Sequence, residues 1–200
     1  MDALIATVES VRPLPSCQTR RVAPEAPPEM TKFGLRSTPG GWFVVNARDM
    51  RWRDTGSLGA FCDFEGKRRF PQLGINLNVL QPGQPMGLYH RENGQEDFLV
   101  LAGECVLLVE GEERELKTWD FFHSPPETEH IIVGAGEGPS VVLAVGRRGL
   151  GRKGLFYPVS ELALKHGAGV KKETTKPEEA YESFTGWKRS LYQDGWLPDL

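Results

Sequence analysis

Short apolar runs separated by turn residues dominate the middle of the chain, and one of them shows its periodicity clearly. In the octapeptide LGINLNVL, which begins at Leu73, the apolar residues Ile75, Leu77 and Val79 alternate with two asparagines. Successive side chains of a strand point to opposite faces, so this alternation predicts a half-buried β-strand. The two asparagines then share one face, which is either the inside of a barrel or the solvent side.

Further apolar runs have the length and the β-branched or aromatic content that are typical of strands. They comprise residues 42–45, 98–101, 105–109, 120–123, 131–133 and 141–145. The tripeptide EGE that begins at Glu110 separates the run at 105–109 from residues 114–116, so this stretch predicts a hairpin. Many short strands with turn signals between them indicate an all-β sandwich or barrel.

The two ends of the chain differ in composition from this middle part. Residues 1–32 are rich in proline and poor in large apolar residues, which predicts an extended N-terminal arm. Residues 33–148 form the predicted barrel domain, and residues 149–200 a C-terminal extension with short helices. Both extensions need surfaces to bury against, and sheets have exposed edges. We therefore expect a homodimer in which an extension crosses to the neighbouring barrel.

Two helix starts are visible in the C-terminal extension. Ser160 is a good N-cap for a helix over residues 161–165, and Gly167 ends it. Pro177, followed by two glutamates, is favoured in the first turn of a second helix. The aromatic residues Trp187, Tyr192 and Trp196 predict small helices that pack on the barrel or on a neighbour.

Composition narrows the function mainly by exclusion. The chain has 200 residues and a formal net charge of -3. Its lysines and arginines are scattered, so no nucleic-acid partner is expected. No apolar run approaches the length of a membrane span, and no membrane partner is expected either. Cys17, Cys62 and Cys105 are odd in number and lack CxxC spacing. The expected location is a reducing cytoplasm, with Cys105 a small buried apolar residue.

Two histidines and two carboxylates carry the candidate chemistry. His90 and Glu92 would project from the same face of a strand, since residues i and i+2 share a face. A turn signalled by Asn93 can bring Glu96 back beside them, and His130 begins a later apolar run. Two imidazoles and two carboxylates that converge in an apolar β framework make a divalent-metal site.

These residues resemble the first sequence motif of the cupin superfamily. That motif is His-x-His, then three or four residues, Glu, six residues and Gly. Here His90, Glu92, Glu96 and Gly103 stand at its four fixed positions. Glu92 therefore occupies the place of the second histidine.

The second motif of that superfamily, Pro-x-Gly-x-x-His followed by Asn, resembles the stretch from Pro125 to His130. Glu127 stands at its Gly position, Gly134 at its Asn position, and Trp119 where the family usually has a further Gly. The two motifs together imply a small single-domain cupin, an all-β double-stranded β-helix or jelly roll. They imply little about the reaction, because this fold hosts many unrelated functions.

The resemblance implies that one divalent metal ion is bound by His90, Glu96 and His130. Glu92 is either a fourth ligand or a partner of Arg91 or of another polar group. A carboxylate in place of an imidazole makes the site harder, which favours iron, manganese or zinc, with nickel as a further candidate.

Such a ligand set leaves open coordination positions, which suit oxygen activation on iron or manganese. On zinc or manganese the same positions would polarise a carbonyl group or activate water. We therefore expect a metal-dependent cupin of unknown substrate, a dioxygenase-like or isomerase-like enzyme that acts on a small metabolite. The alternative is a non-catalytic cupin that binds a sugar or another small metabolite. His123 is expected in the core or the pocket wall, and Glu129 is a candidate to orient an imidazole.

Overall fold

The computed structural model describes residues 22–149, 154–184 and 186–199. In these ranges the chain consists mainly of antiparallel strands. The strands are β1 (Glu29–Thr31), β2 (Gly34–Arg36), β3 (Trp52–Asp54), β4 (Ala60–Cys62), β5 (Leu73–Leu80), β6 (Glu96–Ala102), β7 (Glu104–Val109), β8 (Glu112–Lys117), β9 (Phe121–Ser124), β10 (His130–Ala135), β11 (Ser140–Arg147) and β12 (Lys188–Ser190). The helices are α1 (Glu161–Lys165) and α2 (Pro177–Ala180), and short 3-10 helices span Ala47–Asp49 and Gly56–Leu58. Neither α1 nor α2 is long or apolar enough to cross a membrane.

Two sheets enclose the main core. The larger has the strand order β12-β3-β4-β5-β11-β6-β9, and the smaller has the order β10-β7-β8. All pairings between these strands are antiparallel. Buried side chains of both sheets meet between them, among them Leu80, Val100, Leu107, Ile132 and Val142. This arrangement is the jelly roll, or double-stranded β-helix, that the sequence predicts.

Strand β5 confirms the alternation, and its register decides which way the asparagines face. Leu77 and Val79 pack in a second apolar cluster on one face of the sheet, whereas Leu80 belongs to the main core. Asn78 lies on the same face as Leu80, is buried, and donates a hydrogen bond from Nδ2 to the carbonyl of Val142 at 3.4 Å. The asparagine face is therefore the inside of the barrel.

The predicted hairpin at residues 105–116 is confirmed. Val109 of β7 pairs with Glu112 of β8, so only Glu110 and Gly111 form the loop. Both loop residues have positive φ values, 49° and 79°. This conformation matches the twist of the flanking strands, and it explains why a glycine follows Glu110.

The prediction of a first barrel strand at residues 42–45 is wrong. Trp42 forms one bridge with Glu25 and no strand follows it up to residue 46. Trp42 and Val44 are 52% and 83% exposed. Only Val45 of this run packs on a core cluster, and it is only partly buried, so the run gains little of the burial energy that holds a strand in a sheet.

The predicted N-terminal arm is described only in its last part, since residues 1–21 lie outside the described residues. Within residues 22–32, β1 pairs with β2 in a short hairpin that crosses the predicted domain boundary. The backbone nitrogen of Ala26 also donates to the carbonyl of Trp42 at 2.8 Å. The described part of the arm is therefore tied to the residues that follow it.

The first helix of the C-terminal extension is found where the sequence predicts it. The Ser160 side chain accepts a hydrogen bond from the backbone nitrogen of Ala163 at 3.2 Å, which caps α1. Gly167 follows α1 in the left-handed conformation, with φ at 67°. A helix of one turn depends on such caps because few of its backbone groups are satisfied internally.

The end of the extension packs on the barrel as predicted, but as a strand and not as a helix. Strand β12 pairs with β3 at the edge of the larger sheet. The rings of Tyr192 and Trp196 then lie 6.1 Å and 5.1 Å from the ring of Trp52, which is fully buried. This contact buries apolar surface that the barrel alone would leave exposed.

At two positions where cupin motifs usually have glycine, this chain has another residue but keeps the left-handed backbone conformation that favours glycine. Trp119 has a φ of 77° and Glu127 a φ of 69°. The Trp119 backbone nitrogen donates to the carbonyl of Val100 at 2.8 Å, so the turn is held in place. A side chain in this left-handed region costs roughly 1–2 kcal/mol.

We expect Trp119→Gly to raise the free energy of unfolding by on the order of 1 kcal/mol, because it relieves this strain. Trp119 is 72% exposed, so little packing is lost with the indole. Trp119→Ala is the matched control, since it removes the same ring but keeps the Cβ atom. Urea unfolding should show the gain only for glycine. Equal stability of the two variants would contradict the strain argument.

The homodimer expected from the sequence stays a prediction. Strand β9 lies at the edge of the larger sheet, and Phe121 in it is 62% exposed, which suits an interface. Light scattering at micromolar concentration should give twice the mass of one chain, and Phe121→Lys should lower that mass. A mass of one chain for the wild-type protein would contradict the expectation.

Candidate metal centre

His90 and His130 face each other across two neighbouring strand segments. The His90 backbone nitrogen donates to the His130 carbonyl at 3.3 Å, and the His130 nitrogen donates back at 2.9 Å. Residues that are directly opposed in an antiparallel pair project to the same face. Both imidazoles therefore point the same way, and their ring centroids are 5.4 Å apart. That face is the inside of the barrel, because Ile132, two residues after His130, belongs to the main core.

Glu96 joins the two imidazoles. It begins β6 two residues before Phe98, a main-core residue, and so projects inward as well. Its Oε2 atom is 3.3 Å from Nε2 of His130 and 3.7 Å from Nε2 of His90. Glu92 completes the group: one donor atom each from His90, Glu92 and Glu96 lies within 4.8 Å of the other two. The structure thus groups His90, Glu92 and Glu96, and it places His130 beside Glu96.

Backbone carbonyls set the tautomer of both imidazoles. Nδ1 of His90 lies 2.8 Å from the carbonyl oxygen of Leu88. Nδ1 of His130 lies 3.0 Å from the carbonyl oxygen of Thr128 and 3.2 Å from the hydroxyl of Ser124. A carbonyl only accepts hydrogen bonds, so each Nδ1 carries a hydrogen and donates it. In the neutral rings each Nε2 then presents a lone pair to the shared carboxylate.

This arrangement leaves two buried acceptors facing each other. Nε2 of His130 and Oε2 of Glu96 are both buried and have no hydrogen-bond partner among the described residues. A buried polar atom without a partner costs about 1–3 kcal/mol. A divalent cation held between the two lone pairs would satisfy both atoms, so the residues present fit a metal ion.

Apolar rings surround the inner side of the centre. Phe98 and Phe122 contact His130 edge-on, with ring centroids at 5.3 Å and 5.5 Å, and His130 is only 2% exposed. The two phenylalanines also stack on each other at 5.7 Å. Water is thereby kept from the inner imidazole, which strengthens electrostatic interactions at the centre.

Burial and neighbouring charges set the protonation of the candidate ligands. Burial lowers the pKa of His90, although Glu96 opposes this, so the ring stays neutral. Burial opposes the charge on Glu96, whereas the His130 and His90 rings, when they are protonated and donate toward it, outweigh burial and lower the pKa of that carboxyl. Burial raises the pKa of Glu92 to about 7, and the charge of Glu96 adds to the effect. A cation near Glu92 would offset both causes.

Arg91 is engaged elsewhere, so it is not the partner of Glu92. Its side chain points away from the barrel interior and binds Glu129 at 2.6 Å and Glu127 at 3.3 Å. The expectation that Glu129 orients an imidazole is therefore wrong: the carbonyls of Leu88 and Thr128 do so. Glu129 instead pairs with Arg91 on the outer surface of the loop.

The expectation that His123 lies in the core or the pocket wall is also wrong. Its side chain is 52% exposed and contacts Asp97 at 2.7 Å. Strand β9 alternates, with Phe122 and Ser124 inward and His123 outward. The apolar neighbours of His123 in the sequence concealed this alternation.

Sequence reasoning missed Tyr157, whose ring lies 5.7 Å from the His90 ring. It also missed two glycines that make room for the carboxylates. A Cβ atom at Gly94 would come within 2.6 Å of Oε1 of Glu92, and one at Gly146 within 3.2 Å of Oε1 of Glu96. The sequence of strand β11 contained a signal for Gly146, because the side chains at its inward-facing positions become smaller toward its C-terminal end.

Residues 76–146 match the sequence model of the family described as Cupin domain. This stretch includes all four candidate ligands and both motifs. No curated protein matches the chain.

Solved structures similar to this chain match only part of it. KdgF from Halomonas is 22% identical, with a TM-score of 0.45, over 55% of this chain and 96% of that chain. A candidate sugar phosphate isomerase from Acidithiobacillus ferrooxidans is 29% identical, with a TM-score of 0.38, over 38% of this chain and about half, 51%, of its own length. The DMSP lyase DddQ from Ruegeria pomeroyi is 24% identical, with a TM-score of 0.37, over 43% of each chain.

The raised pKa of Glu92 predicts a pH-dependent stability in the metal-free protein. Between the ordinary value of 4.5 and about 7, the folded protein holds a proton on Glu92 that the unfolded chain has released. Stability therefore falls as the pH rises through this window. Glu92→Gln removes that loss, so in chelator it should melt a few degrees above wild type at about pH 8 and match it at about pH 4.

The control is Glu137→Gln, which changes an exposed loop glutamate. It should follow the wild-type melting curve at both pH values. Identical pH dependence of the wild type and Glu92→Gln would show that Glu92 has an ordinary pKa.

Proposed function

We propose that this chain, whose residues 76–146 match the Cupin domain model, is a metal-dependent cupin that acts on a small metabolite. One divalent ion is held inside the barrel by His90, Glu96 and His130, with Glu92 as the fourth ligand. The protein acts in the cytoplasm, and its partner is a small-molecule substrate.

The observation that carries this proposal is the pair of unpartnered buried acceptors, Nε2 of His130 and Oε2 of Glu96, at 3.3 Å. A structural histidine in a core normally has both nitrogens satisfied, because an unsatisfied nitrogen is costly there. Here the hydrogen bond to the backbone uses only Nδ1. That pattern is typical of a metal-binding histidine, whose other nitrogen is held by a carbonyl or carboxylate.

The chain's own residues prepare the centre in three ways. The Leu88 and Thr128 carbonyls fix the two imidazoles, Phe98 and Phe122 exclude water on the inner side, and Glu92 releases its proton when a cation arrives. Two carboxylates and two imidazoles are a hard ligand set, which favours iron, manganese or zinc over soft-ligand metals, with nickel as a further candidate. When bound, such an ion supplies Lewis-acid or oxygen-binding chemistry at its open coordination positions.

A dioxygenase-like or isomerase-like reaction follows from those open positions. His90 and Glu96 are partly exposed, with side chains about one-fifth accessible, so a small molecule can approach the centre from the side of these two ligands. A substrate that offers a hydroxyl, carbonyl or carboxylate oxygen suits this side. The non-catalytic binder is the alternative, in which a metabolite binds at the same place without turnover.

We expect His130→Ala to lose stoichiometric metal and to keep the β fold, because the core around Leu80 and Ile132 does not need the imidazole. Metal content is measured by elemental analysis after loading with Fe(II), Mn(II) or Zn(II), and the fold by circular dichroism. His123→Ala is the matched control, since it removes a histidine outside the centre. Glu92→His should keep one metal ion.

A wild-type protein that holds none of these metals after reloading would refute the proposal. If metal binds, oxygen uptake and product formation are then measured with small hydroxy- and oxo-compounds. Turnover that disappears in His130→Ala supports the enzyme. Metal-dependent binding of the same compounds without turnover supports the non-catalytic alternative.

A further inference from the structure

The chain beyond the barrel returns to the metal centre. Phe156 and Arg91 exchange two backbone hydrogen bonds, each 3.0 Å long. Tyr157 and Thr174 are bridged in the same way, at 2.8 Å and 3.2 Å. The smaller sheet is thereby continued beyond His90 by residues that follow the matched cupin domain.

This pairing places Tyr157 on the inner face. Since Arg91 is opposed to Phe156, the register puts His90 opposite Tyr157, with both side chains inward. Tyr157 is 4% exposed, and its ring lies at 35° to the His90 ring. His130, His90 and Tyr157 thus form one cross-strand row, in which the His90 ring is held between two aromatic neighbours.

Tyr181 contacts the same histidine indirectly, through the backbone of Leu88. Its hydroxyl accepts a hydrogen bond from the Leu88 nitrogen at 3.1 Å, and the Leu88 carbonyl accepts the bond from His90 Nδ1. The Tyr181 ring meets the Tyr157 ring edge-on at 6.0 Å. Burial raises the pKa of Tyr181, and the charge of Glu96 adds to it, so the hydroxyl stays protonated close to the centre.

We infer that Tyr157 and Tyr181, which lie outside the cupin domain, are positioning residues that fix His90 for metal binding. The inference rests on the proposed function, because it needs a metal that His90 binds. Tyr157 limits the tilt of the imidazole by ring contact. Tyr181 holds the peptide at Leu88 whose carbonyl keeps Nε2 directed at the centre.

A loosened His90 must be ordered when the metal binds, which weakens the binding. Losing an outer partner of a metal-bound histidine typically lowers metal affinity by about 10- to 100-fold. Ligand orientation also sets the energies of the d–d transitions of Co(II), which therefore serves as the probe. Both quantities are measured without any substrate.

The experiment titrates Co(II) into the full-length protein against a competing chelator and records the visible spectrum. Tyr181→Phe removes one oxygen atom, and Tyr157→Leu removes a ring. Both should weaken Co(II) binding by about 10-fold or more and shift its bands. Tyr157→Phe keeps the ring and should restore much of the binding.

Phe184→Leu is the control, because Phe184 packs on Tyr181 at 5.7 Å in the same apolar cluster without a ring contact to His90. It should lower the melting temperature but leave Co(II) affinity and spectrum unchanged. This separates positioning from general destabilisation.

Wild-type affinity and an unchanged spectrum in both tyrosine variants would overturn the inference and leave the proposed function standing. Equal losses in Phe184→Leu would overturn it too, since any loss of packing would then suffice. A wild-type protein that binds no Co(II), Fe(II), Mn(II) or Zn(II) would refute both proposals. Should Tyr157→Leu not fold, Tyr181→Phe alone decides.

Discussion

The mutual backbone pairing of His90 and His130 is the interaction on which the centre depends. It joins the segment before β6 to the start of β10, and so brings residues distant in sequence into one row. The register matters as much as the pairing. A shift by one residue would turn His90 outward and bring Arg91 in. In the observed register Arg91 lies outside, where Glu127 and Glu129 neutralise its charge.

The same register creates an electrostatic problem inside the barrel. Glu92 and Glu96 lie close together among imidazoles and aromatic rings, where carboxylates lose most of their hydration. In their neutral form the two imidazoles direct lone pairs at Glu96 and do not relieve this, since each Nδ1 carries the ring hydrogen. A divalent cation would relieve it. Stability and metal binding would therefore be linked through Glu92, whose carboxylate opposes folding when it is charged and unpaired.

Three residues at which this chain differs from the family motifs show which parts of the motifs depend on backbone conformation rather than on the side chain. Glu127 and Trp119 replace glycines but keep positive φ, so the turns survive a change that makes them costlier. Gly134 replaces an asparagine where a Cβ atom would come within 2.4 Å of the Gln81 carbonyl oxygen, so only glycine fits between these two segments. Sequence comparison sees three differences here. In the structure, the substitutions at Trp119 and Glu127 keep the positive φ of the glycines that they replace. The glycine at position 134 is required by the close approach of the Gln81 backbone.

The sequence by itself determined strands β5 to β11, the hairpin between β7 and β8 and helix α1, and it predicted the four residues of the candidate site, because these rest on local signals: alternation, caps, turn residues and motif spacing. It misjudged residues 42–45 and the strand β12, whose conformation depends on whether a partner surface lies nearby. Only the tertiary structure decided the inward row of His130, His90 and Tyr157. That row joins strand segments far apart in the chain, and no local pattern encodes which segments pair.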